Sequence, residues 1–110
     1  MIETEAVDEN VIISRFTGFI TRAMAEARFE QFRAKLGFIR EPRWIIDQSR
    51  MEGFEPAVLI TGKRWFALFR RRGGSEIVLV VDVPGAKMAA AALAFSEKIN
   101  IRVVPTLDKI

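Results

Sequence analysis

Five consecutive apolar residues, Ile77-Val78-Leu79-Val80-Val81, place the strongest constraint on this chain. Four of the five are β-branched, so the run favours an extended strand. Its lack of alternation means that both faces of the strand need cover, as in the middle of a parallel sheet. A second run of the same kind, Trp44-Ile45-Ile46, is closed by Asp47 just as the first is closed by Asp82. Parallel neighbours need long crossovers, normally helices. The segments between and around the two runs carry helical periodicity.

In the first of these segments, Ala25, Phe29, Phe32 and Leu36 recur at helical spacing and predict a helix from Thr21, its N-cap, to Leu36. Gly37 suits the left-handed residue that stops it. Arg22, Glu26, Glu30 and Arg33 fall on the solvated side. A second helix is predicted from Pro56, which is favoured at a first helical position, with Glu55 near the positive end of its dipole. Leu59, Gly62, Phe66 and Phe69 form its inner stripe, flanked by Val58 and Trp65. Lys63, Arg64, Arg70 and Arg71 share the opposite side. Leu68 lies between and is expected on the surface beside Trp65. Gly62 is read as allowing a neighbouring backbone to come close. A third helix is predicted over Ala86 to Lys98, with Met88, Ala92, Phe95 and Ile99 as its buried stripe. Ile101 to Val104 reads as the last strand.

Ahead of these, Val11 to Phe16 reads as a strand, and Phe19-Ile20 continues it after Thr17-Gly18 as a hairpin or a bulged strand. Residues 1–9 are polar and acidic and read as a loose lead-in. Strands and helices thus alternate as in an α/β sheet whose later strands are parallel. In such sheets ligands and partners meet the protein beyond the carboxyl ends of the strands. That places a working surface on Gln48 to Glu55, expected as a loop, and on the start of the second helix.

With 110 residues, the chain 1–110 makes one domain with no room for a second. It has no Cys, no His and no Tyr, which removes the commonest general base, the commonest metal ligand and two nucleophiles. Catalysis is therefore not expected, and neither catalytic nor metal-ligating residues are assigned; nothing implies a cofactor. Asp47 and Asp82, with Lys87 near the second, are the carboxylates that an enzyme would use, but an Asp at a strand end commonly satisfies loop amides. No apolar run approaches the length of a membrane span, and no signal peptide is expected, so a cytoplasmic setting is. The formal charge of +3 conceals four acids and no base in residues 1–10, which leaves seventeen bases against ten acids in the rest. Lys63, Arg64, Arg70 and Arg71 could bind an anion, but no nucleic-acid motif accompanies them, so nucleic acid is not an expected partner.

The order of elements and the residues at its joints resemble the STAS domain, the SpoIIAA-like fold of anti-sigma-factor antagonists. Phe16-Thr17-Gly18-Phe19-Ile20 is similar to the strand-Gly-strand lead into the first helix, and Trp44-Ile45-Ile46-Asp47 to the apolar strand ending in Asp. Leu79-Val80-Val81-Asp82 through Phe95, with Asn100-Ile101, is similar to the last crossover. The resemblance spans residues 11–104 and implies a mixed sheet of about four or five strands with about three or four helices. It implies a departure as well. Where phosphorylated members carry an Asp-Ser-Ser-Gly-like turn, this chain has Phe54-Glu55-Pro56-Ala57-Val58, without a hydroxyl. Glu55 can stand at the Asp position, while Ser49 and Thr61 lie too far off to replace the phosphoacceptor serine.

The resemblance implies a bacterial signalling module that binds a protein partner; the second helix, with more apolar surface than one sheet can cover, leaves a surplus that points to a partner contact or a homodimer there. Its partner surface is expected to use Gln48, Ser49, Met51, Glu52, Phe54, Glu55, Trp65 and Leu68. As an alternative, a small apolar, lipid-like ligand would sit between sheet and helices against Phe54, Leu59, Phe66 and Phe69.

Overall fold

In the computed structural model, which describes residues 1–37, 39–82 and 84–110, the acidic lead already departs from expectation. Ile2 and Thr4 are buried while Glu3 and Glu5 are exposed. This period of two makes Ile2–Ala6 a strand, β1, antiparallel to β2 (Val11–Ile20). The acids had hidden the alternation. Thr4 lies opposite Ser14, and their hydroxyls are 2.8 Å apart; Ser14 Oγ also accepts a hydrogen bond from Trp44 Nε1 at 2.9 Å. These buried polar groups satisfy one another and tie the edge strand to the centre of the sheet.

The chain continues through α1 (Arg22–Leu36), β3 (Arg43–Phe54), α2 (Val58–Arg71), β4 (Glu76–Val80), α3 (Pro84–Ser96) and β5 (Asn100–Val104). A 3-10 turn, Leu107–Lys109, comes after β5. The five strands stand in chain order, with β1 antiparallel at one edge and β2 to β5 parallel. It is the mixed α/β sheet that the alternation implied. β2 is one strand with register shifts between Arg15 and Thr17 and between Gly18 and Phe19, so the bulged form holds and the hairpin does not.

α1 matches its predicted ends. Thr21 Oγ1 accepts from the Met24 N–H at 3.2 Å, and Gly37 takes φ +40° with its N–H on Arg33 O at 3.0 Å. Its stripe Ala25, Phe29, Phe32 and Leu36 is buried against the same core as Ile12, Trp44 and Ile77. At about 25 cal/mol per Å², each of the larger side chains contributes about 1.5–3 kcal/mol by leaving water. β4 is covered on both faces. Ile77 and Leu79 join the main core, and Val78 and Val80 pack with Val104 and Ile45 on the other side.

α3 is turned differently from the prediction. Ala86, Ala90 and Ala94 are buried, whereas Met88 is 73% and Phe95 is 87% exposed, and Ala92 is exposed too. Two residues are about 200° apart on a helix, so the Met88 stripe lies nearly opposite the alanine stripe. Small side chains let α3 lie close on α2. A Cβ placed on Gly62 of α2 would meet Leu93 Cδ1 at 3.2 Å. Gly62 therefore does serve a close approach, though by a side chain and not by a backbone.

Candidate functional site

β3 does not stop at Asp47. Its first part, Arg43–Asp47, pairs with β2 on one side and β4 on the other. β4 ends at Val80, opposite Asp47, but β2 runs on and holds β3 extended through Arg50, Met51, Gly53 and Phe54. The expected loop from Gln48 to Glu55 is therefore mostly strand, projecting past the sheet with one edge outside the β4 ladder. Ser49, Arg50 and Glu52 are exposed on it. The Asp47 carboxylate accepts from the Ser49 N–H at 3.0 Å and the Ser49 hydroxyl at 2.7 Å, which shapes this projection. Asp47 is thus engaged within its own strand, while Asp82 is exposed.

Glu55 does not open α2. Its N–H donates to Ile20 O at 2.9 Å and its carboxylate accepts from the Arg22 N–H at 2.8 Å. The acid therefore sits at the positive end of α1, beside Thr21, where a free backbone N–H needs an acceptor. α2 starts at Val58, later than Pro56, and Ala57 before it offers no side-chain cap. Its first turn carries no hydroxyl. Thr61 is fully buried and donates to Glu26 Oε1 at 2.7 Å. That bond, with lesser help from Arg64 and Arg22, holds the Glu26 carboxyl below its ordinary value, against an opposing effect of burial second only to the Thr61 bond.

Between the projecting part of β3, α2 and α3 lies an apolar cavity of about 70 Å³. Phe16, Ile20, Trp44 and Ile46 of the sheet form its floor, with Gln48, Met51 and Phe54 along the strand. Leu59, Gly62, Trp65 and Phe66 cover it from α2, and Ala86, Ala89, Ala90 and Leu93 close it from α3. Two of these residues keep a buried polar atom without a hydrogen-bond partner among the described residues, Gln48 Oε1 and Trp65 Nε1.

The residues expected at a partner surface are thus divided. Ser49 and Glu52 are exposed, while Gln48, Met51 and Phe54 turn toward the cavity. Trp65 (3% exposed) and Leu68 (6%) are core, contrary to the expectation of an outward face. The Trp65 ring stacks on Phe32 at 4.7 Å between centroids and lies 6.2 Å from Trp44. Aromatic neighbours from α1 and β3 use the side of α2 that was expected to be surplus. Of the residues expected around a ligand, Phe54, Leu59 and Phe66 line the cavity; Phe69 is buried apart from it, 5.3 Å from Trp44.

Lys63, Arg64, Arg70 and Arg71 are all exposed, but they do not act together. Arg64 pairs with Glu26 at 2.9 Å and lies 4.5 Å over the Phe29 ring. Arg64 and Arg71 share a cleft with Arg33 and Arg72, a grouping that helical periodicity alone does not bring together. The four positions of α3 that close the cavity were missed as well. Gly62 and the run Ala89–Ala92 carried that signal.

Among the described residues no helix is long and apolar enough to cross a membrane, and no group of three or more His, Cys, Asp or Glu is placed to hold a metal. No protein-family model matches the sequence, and no curated protein matches it significantly in sequence. Solved structures match in three dimensions. The sheet order, the crossovers and the position of α2 after β3 give the chain the SpoIIAA-like STAS fold. It is similar to the Bacillus cell-fate determinant SpoIIAA in its phosphorylated form, with a TM-score of 0.73, 10% identity, and coverage of 99% of this chain and 95% of that one. An anti-sigma-factor antagonist from Mycobacterium paratuberculosis matches with a TM-score of 0.66, 19% identity, and coverage of 99% and 88%. A protein with a SpoIIAA-like fold from Shewanella loihica matches with a TM-score of 0.72, 12% identity, and coverage of 99% and 88%.

Proposed function

We propose that this chain is a STAS-like regulatory module that acts by binding a protein partner rather than by catalysis. The observation that carries the reading is the projecting part of β3. Seven residues, Gln48–Phe54, extend past the paired sheet and present Ser49, Arg50 and Glu52 on a strand with one edge outside the β4 ladder. A strand edge of this kind offers a partner backbone hydrogen bonds as well as side-chain contacts. The likeness to anti-sigma-factor antagonists supports the same reading. Switching by a phosphoserine at the start of α2 is not part of it, because Pro56 and Ala57 have no hydroxyl. A photoreactive amino acid placed at Glu52 should give a discrete cross-linked protein in cells of the source organism, and the same group at Glu97 should not. Identical adducts from both positions, or none from Glu52, would remove the proposal.

One observation favours a second reading, a small guest inside the molecule. Gln48 Oε1 and Trp65 Nε1 are an acceptor and a donor left without partners on residues that line an apolar cavity. Burying such groups unpaired costs about 1–3 kcal/mol each, which a guest bearing a matching donor and acceptor would recover. At about 70 Å³ the cavity is well below the roughly 300–1,000 Å³ of drug-sized sites. A lipid-like passenger would therefore require α3 to swing outward. Native and denaturing mass spectra of one sample discriminate: a bound mass lost on denaturation supports the guest, and a bare chain leaves the partner reading alone.

A further inference from the structure

The cleft on the other side of α2 has a different character. Arg64 and Arg71 from α2, with Arg72 at its end, face Arg33 from α1 across a space of about 470 Å³. Phe29, Ala67 and Leu68 form its floor, and among the described residues no acid lines it. The spacing explains the convergence: Arg64 and Arg71 lie two turns apart on the side of α2 toward α1, and Arg72 is adjacent to the second.

The charges are not all equally available. Arg64 is bound to Glu26 at 2.9 Å, and Arg33 has only a loose contact with Glu30 at 3.7 Å. Arg72 gives one N–H to Gly37 O at 2.6 Å, which leaves four of its five donors. Arg71 has no hydrogen bond or ion pair to a side chain among the described residues. The cleft therefore keeps about two uncompensated positive charges, with planar donor forks on both walls and a volume in the range of a small-molecule site. Guanidinium forks match phosphate oxygens two at a time, and several forks together favour a ligand with more than one phosphate.

We infer that the α1–α2 cleft is a binding site for a small, multiply phosphorylated anion, held chiefly by Arg33, Arg71 and Arg72. The surface proposed for a protein partner lies elsewhere, on the projecting part of β3, so this site stands or falls separately. Titration calorimetry with inorganic tripolyphosphate, at about 0.15 M salt so that diffuse attraction is screened, tests it. One saturable site is expected. Arg71→Ala and Arg33→Ala should each weaken it about tenfold, the loss of one charge-assisted hydrogen-bonding group. Lys63→Ala/Arg70→Ala removes two charges from the same helix outside the cleft and should leave affinity within about twofold. Arg33 and Arg71 are both exposed, so circular dichroism should report unchanged folding in every variant. A second arm separates the sources of phosphate. Free inositol trisphosphate binding with no gain on phosphatidylinositol-bisphosphate vesicles indicates a soluble ligand; a gain on those vesicles, absent with phosphatidylcholine alone, indicates a lipid head group. No saturable heat, equal losses in the Lys63/Arg70 control, or citrate binding as tightly as tripolyphosphate would overturn the inference.

Discussion

The two sides of α2 differ in what faces them, and that difference gives one helix an apolar cavity on one side and a charged cleft on the other. Toward α3, Gly62 meets the end of Leu93, and the space left beside Leu59, Ala86, Ala89 and Ala90 is an apolar cavity of about 70 Å³. Toward α1, Arg64 is laid over Phe29 and side chains of both helices line a larger, charged cleft of about 470 Å³. Small residues on one side leave a small apolar space. Long cationic side chains on the other lay their stems over apolar surface and keep their charged heads outward. The same helix can therefore carry an apolar contact and an anion site without either interfering with the other.

The sharpest way to break this comparison is to attack the core that both sides share. Trp65 is buried, stacked on Phe32 and 6.2 Å from the Trp44 ring. Trp65→Ala should cost about 3–5 kcal/mol, read as a lower urea midpoint. An unfolding free energy within about 0.5 kcal/mol of the unmodified protein would return Trp65 to the surface.

Next in size is a change confined to the α3 side. Gly62→Ala gains about 1 kcal/mol of helix propensity, and the new Cβ asks Leu93 Cδ1 to give way by a few tenths of an ångström. Leu93 is half-buried, and the end of its side chain can turn. The variant should be more stable by about 0.5–1 kcal/mol. A loss of stability would mean that α2 and α3 are locked together more rigidly than the cavity between them suggests.

The α1 side has its own test, in pH. Glu26 joins the two helices by accepting from Thr61 and Arg64, and its carboxyl is held below the ordinary value of 4.5. A carboxyl lowered in the folded state adds stability above its unfolded pKa and loses it as pH falls through the folded one. Stability should therefore drop below about pH 4.5, and Thr61→Val should make this part of the drop shallower. Because Glu26 is exposed, the change should be modest and should shrink further in high salt. An acid limb identical in both proteins would show that Thr61 does not set the Glu26 proton affinity.

These same regions mark how far the sequence could be read. Helix α1 was legible because Ala25, Phe29, Phe32 and Leu36 are large or well spaced, with Thr21 and Gly37 at their ends. The crossover order and the burial of Ile77–Val80 were legible for the same reason, since long apolar runs have few places to go. β1 was not, because an edge strand shows only one buried face, here Ile2 and Thr4, among acids. The Gln48–Phe54 strand was hidden because its only strand partner among the described residues is β2, after one register shift and across a second. Of the site, the residues on β3 and the first half of α2 could be named, but the direction each faces could not. Arg33 and Arg72 come from helix faces that look solvated until α1 and α2 are placed side by side.

α3 was misread for a reason that also sets the smallest expected effect. Hydrophobicity picked out Met88 and Phe95, and close packing picked out Ala86, Ala90 and Ala94, almost opposite. Packing prevails because an alanine face lets α3 approach α2 and the sheet, whereas Met and Phe would hold it off. Met88 and Phe95 therefore remain in solvent and should contribute little to the fold. Met88→Ser/Phe95→Ser should stay within about 0.5 kcal/mol of the unmodified protein in urea. The same variant bears on the homodimer, for which Trp65 and Leu68 are no longer available. If two copies associate through α3, this exposed apolar pair joins them, and the native mass should fall from two chains to one in the double variant. A dimer that survives the change would place its interface elsewhere, and a stability loss of about 2 kcal/mol would show that α3 packs through its larger residues after all.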